Sequence, residues 1–185
     1  MSRILGIDTS NYTTSAALYD TESGEIFQSK MLLPVKPGEK GIRQSDAVFH
    51  HTAQLPQVIS SLKEKCGGFT QICAIGVSTR PRSVEGSYMP CFTVGTGTAH
   101  VLSEILGVPL LKFSHQEGHI AAALFSSGRT DLLNGRFIAF HVSGGTTEAL
   151  LVNGSGKGFS RWKGRTCRKR FPWKRSGCGR CRWRS

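Results

Sequence analysis

The chain opens with an apolar strand, a Ser/Thr-rich turn and a second apolar strand, and about 135 residues later it does so again. The first copy runs Ile4-Leu-Gly-Ile-Asp-Thr-Ser-Asn-Tyr-Thr-Thr-Ser-Ala-Ala-Leu18. The second is Phe137-Ile-Ala-Phe-His-Val142, then Ser143-Gly-Gly-Thr-Thr147, then Glu148-Ala-Leu-Leu-Val152. A supersecondary unit repeated at this distance implies two lobes of similar build, each opened by a hairpin.

Between the copies the pattern alternates strand and helix. A third strand over 25–33 completes a meander. Pro34, Pro37, Gly38 and Gly41 break the chain into a loop. Ser45 fits an N-cap, and Val48, Thr52, Leu55, Ile59 and Leu62 mark one face of the helix that follows. Pro56 should kink that helix, and Gly67-Gly68 should end it. The apolar run Ile72–Ser78 reads as a parallel strand buried on both faces. A polar loop over 79–90 precedes a helix over 93–106, a strand over 108–113 and a helix from His115, with Ser114 as its N-cap. The expected class is therefore α/β, with a complete first lobe and a second lobe that stops after its first hairpin.

Two features carry chemistry. Hairpin tips rich in Gly, Ser and Thr aim backbone N–H groups and hydroxyls at one spot, which suits phosphate oxygens. Asp8 ends the first strand and is placed to hold Mg²⁺ through water, with Ser10 in the same turn. Gly144 and Gly145 allow close backbone approach in the second turn. The other feature is Ser114-His-Gln-Glu-Gly-His119. Histidines at i and i+4 share a helix face and can chelate one metal ion. The order is not the H-E-x-x-H of zinc proteases, and two ligands leave a site incomplete.

Charge is distributed unevenly. The formal net charge of +12 points toward nucleic acid. Yet residues 157–185 hold 12 Lys and Arg with no Asp or Glu, and the remaining 156 residues balance 12 basic groups against 12 acidic ones. The 157–185 segment has three tryptophans and no Ile, Leu, Val, Ala or Met. Without aliphatic residues or any apolar periodicity to build a core, it is expected to be disordered, or the product of a shifted reading frame. Its Cys178-Gly-Arg-Cys181 lacks a second pair at zinc-finger spacing. Cys66, Cys73 and Cys91 read as buried or free thiols, and His50-His51 as surface or packing residues. No apolar run reaches the roughly 18 residues of a membrane span. Asp8 interrupts the N-terminus before a signal-peptide core could form, so a cytoplasmic setting is expected.

Taken together, Leu5-Gly-Ile-Asp-Thr-Ser, Ser114-His-Gln-Glu-Gly-His-Ile and His141-Val-Ser-Gly-Gly-Thr-Thr-Glu resemble the TsaD family of tRNA threonylcarbamoyl transferases, once called O-sialoglycoprotein endopeptidases. The resemblance runs from Ile4 to about Val152. It implies an actin-like ATPase (ribonuclease H-like) fold, in which the two turns face each other across a cleft and clamp a nucleotide. It also implies lobes at 1–136 and 137–156, with 157–185 outside both. His115 and His119 would bind a divalent metal, iron or zinc. His141, Val142, Ser143, Gly144 and Gly145, with Asp8 and Ser10, would line the site for threonylcarbamoyl-AMP or ATP/Mg. The implied reaction transfers the threonylcarbamoyl group from AMP to the adenosine beside the anticodon of tRNA. No catalytic side chain is assigned. Partners would be tRNA and the paralogous and ATPase subunits of a threonylcarbamoylation complex. The family's third metal ligand, an Asp, and its adenosine-binding segment belong to its C-terminal part, so the site here is expected to be incomplete. Thr146-Thr147-Glu148 replaces the family's His-Thr-Gln, and Thr79-Arg80-Pro81-Arg82-Ser83 replaces its Gly-Pro-Gly loop. These departures leave open a non-catalytic paralogue that acts as a binding partner.

Overall fold

A computed structural model describes residues 2–35, 41–142, 147–154 and 163–165. Strands β1 (Arg3–Ser10), β2 (Thr13–Asp20) and β3 (Ile26–Leu32) form the expected antiparallel meander. Helix α1 (Gln44–Cys66) leads to β4 (Ile72–Arg80), α2 (Phe92–Leu106), β5 (Leu110–Ser114) and α3 (His115–Ser126). The five strands make one sheet in the order β3-β2-β1-β4-β5. β4 runs parallel to both β1 and β5. This is the α/β arrangement expected from the strand pattern, in the actin-like form that the family resemblance implies.

Alternation along β1 and β2 decides which helix covers which face. Leu5, Ile7 and Thr9, with Thr14, Ala16 and Leu18, are buried. Leu5, Ile7, Ala16 and Leu18 pack with Leu55, Val58 and Leu62 of α1 and Ala99 of α2 in one core. Each such side chain, fully buried, contributes about 1.5–3 kcal/mol relative to exposure. The opposite face carries Ile4, Gly6 and Asp8 on β1, paired with Tyr19, Ala17 and Ser15. Tyr19 meets Phe125 of α3 edge-on with ring centroids 6.4 Å apart. Helix α3 therefore covers the face that α1 and α2 leave.

Local details differ from expectation at several points. Arg43, not Ser45, is the N-cap of α1, and it makes no side-chain cap bond. The buried stripe of α1 is Ala47, His51, Leu55, Val58, Leu62 and Cys66. Leu55 and Leu62 are buried as expected, but Thr52 is exposed, and Ala47, His51 and Val58 take the places one residue before Val48, Thr52 and Ile59. The reason is tertiary: β2 presents the Thr14 hydroxyl to His51, and a polar pair takes a core position. Gly67 ends α1 in the left-handed conformation, φ 70°. Strand β4 continues through Thr79 and Arg80, residues expected to be loop, because Thr79 forms a bulge against β5.

The chain divides into two units, Met1–Thr130 and Asp131–Ser185. In the second, a 3-10 turn (Thr130–Asn134) precedes β6 (Arg136–Val142), which pairs antiparallel with β7 (Thr147–Asn153). Leu150 and Val152 are buried there. The segment expected to lack order contains an exception. Lys163–Arg165 form β8 along β7, since ladder pairing uses backbone groups and needs no apolar side chain. The other residues of 157–185 lie outside the described residues.

Candidate active site

Parallel strands point their carboxyl ends the same way. In an open α/β sheet, ligands bind beyond those ends where the strand order reverses. Here the reversal lies between β1 and β4, since the chain builds outward through β2 and β3 before returning. Asp8 sits near the end of β1. The register of Gly6 with Gly76 and Ile7 with Val77 brings Ser78 of β4 beside it. β5 ends at Ser114, and His115 opens α3. Three parallel strands thus deliver Asp8, Ser78 and His115 to one place.

They are bonded to one another. The Nδ1 of His115 lies 2.8 Å from Asp8 Oδ2. Ser78 Oγ donates to the same oxygen at 2.8 Å. The backbone N–H of Ser10 donates to Asp8 Oδ1 at 2.7 Å and closes the β1–β2 turn. Burial pushes the Asp8 carboxyl up. The hydrogen bond to His115 and its electrostatic attraction, with the bonds from Ser10 and Ser78, outweigh this and hold it at about 2. Asp8 is therefore a carboxylate at neutral pH.

Helix α3 starts in a built cap. Ser114 Oγ accepts from the Glu117 N–H, and Glu117 Oε2 accepts from the Ser114 N–H at 2.6 Å, a reciprocal capping box. Ser83, in the loop after β4, also donates to Glu117 Oε2 at 3.0 Å. Gln116 N–H donates to the Pro81 carbonyl at 3.1 Å. The loop carrying Arg80-Pro81-Arg82-Ser83 is thus fastened to the first turn of the helix that bears both histidines. His115 and His119 lie edge to face with ring centroids 4.2 Å apart, and Phe92 lies 6.3 Å from His115.

Behind the site, Thr9 is fully buried on the other face of β1. Its hydroxyl donates to the Cys91 carbonyl at 2.9 Å and accepts from Gly95 N–H at 3.1 Å. A Cβ on Gly95 would lie 2.9 Å from that hydroxyl, so glycine lets α2 approach β1 this closely. His51 is also fully buried; its Nδ1 meets Thr14 Oγ1 at 2.8 Å.

These contacts locate the residues singled out from the sequence. Asp8, Ser10, His115 and His119 come together. His141 and Val142 end β6 in the second unit, and Ser143, Gly144 and Gly145 lie outside the described residues. Ser78 was missed: it ends an apolar run and has no motif of its own. Glu117 is the fourth residue of an S-x-x-E capping box, a signal that the sequence does carry. Two imidazoles within one helical turn suit zinc or iron and leave coordination positions open. With Nδ1 of His115 engaged by Asp8, Nε2 is the ring nitrogen that could serve a ligand. Among the described residues no cluster of three His, Cys, Asp or Glu side chains could hold a metal ion.

The family model for "TsaD: tRNA N6-adenosine threonylcarbamoyltransferase" matches residues 25–165. The chain belongs to the TsaD family. A tRNA N6-adenosine threonylcarbamoyltransferase of Persephonella marina is 32% identical over 155 residues, covering 82% of this chain and 42% of the relative. A probable bifunctional tRNA threonylcarbamoyladenosine biosynthesis protein of Haloquadratum walsbyi is 32% identical over 128 residues, 69% of this chain and 24% of that protein. This TsaD-family chain therefore spans less than half the length of these relatives. Among solved structures, YeaZ from Pseudomonas aeruginosa superposes with a TM-score of 0.56 at 17% identity, over 94% of this chain and 72% of YeaZ, a likeness of fold. No helix among the described residues is long and apolar enough to cross a membrane.

Proposed function

We propose that this chain carries the metal-binding half of a site that transfers a threonylcarbamoyl group from threonylcarbamoyl-AMP to the tRNA adenosine beside the anticodon. The observation that carries the reading is the His115–His119 pair, packed at 4.2 Å at the carboxyl ends of β1, β4 and β5, in a chain of the TsaD family. His115 and His119 would hold iron or zinc, and further ligands would come from outside the described residues. Bound there, the metal would supply Lewis acidity toward the threonylcarbamoyl group. The residues of the chain do the rest. Asp8, Ser78 and the Ser114–Glu117 cap hold the first turn of α3 in place. His141 to Gly145 would bind the donor, and backbone N–H groups of that motif would stabilise its developing charge. That part rests on the sequence motif alone. Asp8 and Ser10, in the first unit, are proposed separately as polar groups of the β1–β2 turn, and ATP/Mg is the alternative nucleotide. The partners in this reading are tRNA and the paralogous and ATPase subunits of a cytoplasmic modification complex.

One observation favours a second reading. The Arg80–Ser83 segment departs from the family's Gly-Pro-Gly loop, and Ser83 clamps it onto Glu117. A non-catalytic paralogue could use such a loop for binding. Metal analysis separates the two. In the full-length gene product the wild type should hold iron or zinc, and the His115→Ala/His119→Ala variant should hold much less. Equal contents in both would overturn the site, and a metal-free wild type that still binds a threonylcarbamoylation subunit would favour the second reading.

A further inference from the structure

The Asp8 carboxylate is placed between two jobs. The turn in which it sits would suit a nucleotide-bound cation. Its hydrogen bonds describe something else. Oδ2 faces both His115 Nδ1 and Ser78 Oγ at 2.8 Å, and Oδ1 accepts from Ser10 N–H at 2.7 Å. A carboxylate has about four lone-pair sites, so three are taken by groups of the protein itself.

We propose that Asp8 is a positioning residue for His115 rather than a holder of the nucleotide's cation. By accepting the Nδ1–H of His115, it selects the tautomer whose Nε2 lone pair is open to a metal. It also sets the plane of the ring. Ser78 holds the Asp8 oxygen that faces the imidazole, and Ser10 holds the other. The carboxylate therefore cannot turn away without breaking a bond to β4 or to its own turn. Carboxylate–histidine–metal relays of this kind recur in metal sites because the second partner fixes the first. Here the relay ties the metal-binding helix to the central parallel pair of the sheet. The inference rests on the metal reading of His115 and His119, and it assigns Asp8 and Ser78 a role in that site.

The test uses the full 185-residue chain, with Co²⁺ as the probe. Affinity is read from visible absorption in competition with a chelator, for wild type, Asp8→Asn, Ser78→Ala and His115→Ala. Long-range ¹⁵N–¹H correlation on the metal-free proteins reports which ring nitrogen of neutral His115 bears the proton. Wild type should carry it on Nδ1. Asp8→Asn should bind Co²⁺ about 10–100-fold more weakly, and its Nδ1–H signature should diminish. Ser78→Ala should weaken binding by a smaller factor. A purely structural Asp8 would lower the melting temperature and leave both the tautomer and the Co²⁺ affinity of the folded protein unchanged, which would overturn the proposal. If Asp8→Asn does not fold, Ser78→Ala decides alone, and wild-type affinity with an unaltered tautomer would overturn it. Wild-type affinity in His115→Ala would overturn the metal reading itself. Loss in His115→Ala with full affinity in Asp8→Asn would overturn only the role of Asp8.

Discussion

Replacing Gly95 by alanine should destabilise the protein, although alanine is the better helix former. The ideal Cβ would lie 2.9 Å from Thr9 Oγ1, 3.3 Å from Thr9 Cγ2 and 3.4 Å from Ile7 Cγ2. Thr9 cannot step aside easily. It is fully buried, β-branched, and bonded through its hydroxyl to the Cys91 carbonyl and the Gly95 N–H. Relief requires either turning its χ1, which breaks both bonds, or lifting α2 off β1. Overpacking of this kind costs about 1–3 kcal/mol, and a lost hydrogen bond adds about 1 kcal/mol. The gain in helix propensity returns about 1 kcal/mol. The net expectation is a loss of about 1–3 kcal/mol, with each kcal/mol lowering Tm by about 2–4 °C for a chain of this size. Gly97 supplies the control. It lies two residues along the same helix, is exposed, and has nothing within 4 Å of its ideal Cβ. Gly97→Ala should gain up to about 1 kcal/mol. Urea titrations followed by circular dichroism measure both. Shifts of the same sign in the two variants would refute the packing argument. Because Asp8 adjoins Thr9, Gly95→Ala should also weaken metal binding, whereas Gly97→Ala should not.

Two further predictions concern groups near the site. Glu117→Ala should cost about 1–3 kcal/mol, since it removes half of the capping box and the carboxylate contact of Ser83; Glu117→Gln should cost less, and limited proteolysis should cut the 81–90 loop faster in the Ala variant. Burial, with a smaller push from His50, lowers the His51 pKa, which the charge of Asp8 partly opposes. Its folded value thus lies below the unfolded value of about 6.5. Above the unfolded value both states are neutral and no stability is lost. As pH falls below it, the unfolded chain takes up a proton that the folded chain refuses, and stability drops by up to about 1.4 kcal/mol per pH unit from this group until the folded value is reached. Urea titrations at pH 7.5 and 5.5 should show a smaller drop in His51→Gln than in wild type; identical drops would show that His51 does not titrate this way.

Much of the fold was legible because its signals are local. The Ser/Thr turn between β1 and β2, the left-handed Gly67 and Gly107, and the Ser114 cap each depend on a few neighbouring residues. The bulge at Thr79 and the true buried stripe of α1 were not legible. The first depends on register against β5. The second depends on Thr14, which is 37 residues away from the His51 it bonds.

The candidate site divides along the same line. Sequence alone singled out Asp8, His115 and His119 and pointed to the family, because motif order and i,i+4 spacing survive without coordinates. It gave Asp8 and His115 separate tasks, since 107 residues part them. Tertiary structure decided that they touch. Parallel pairing of β1, β4 and β5 aligns three carboxyl ends, and the next polar side chain on each, Asp8, Ser78 and His115, must meet there. The physical reason is that strand register sets contacts in space without leaving a mark in local sequence. The two strand–turn–strand units that open the two lobes were plain in the sequence; the carboxylate–imidazole bond was not.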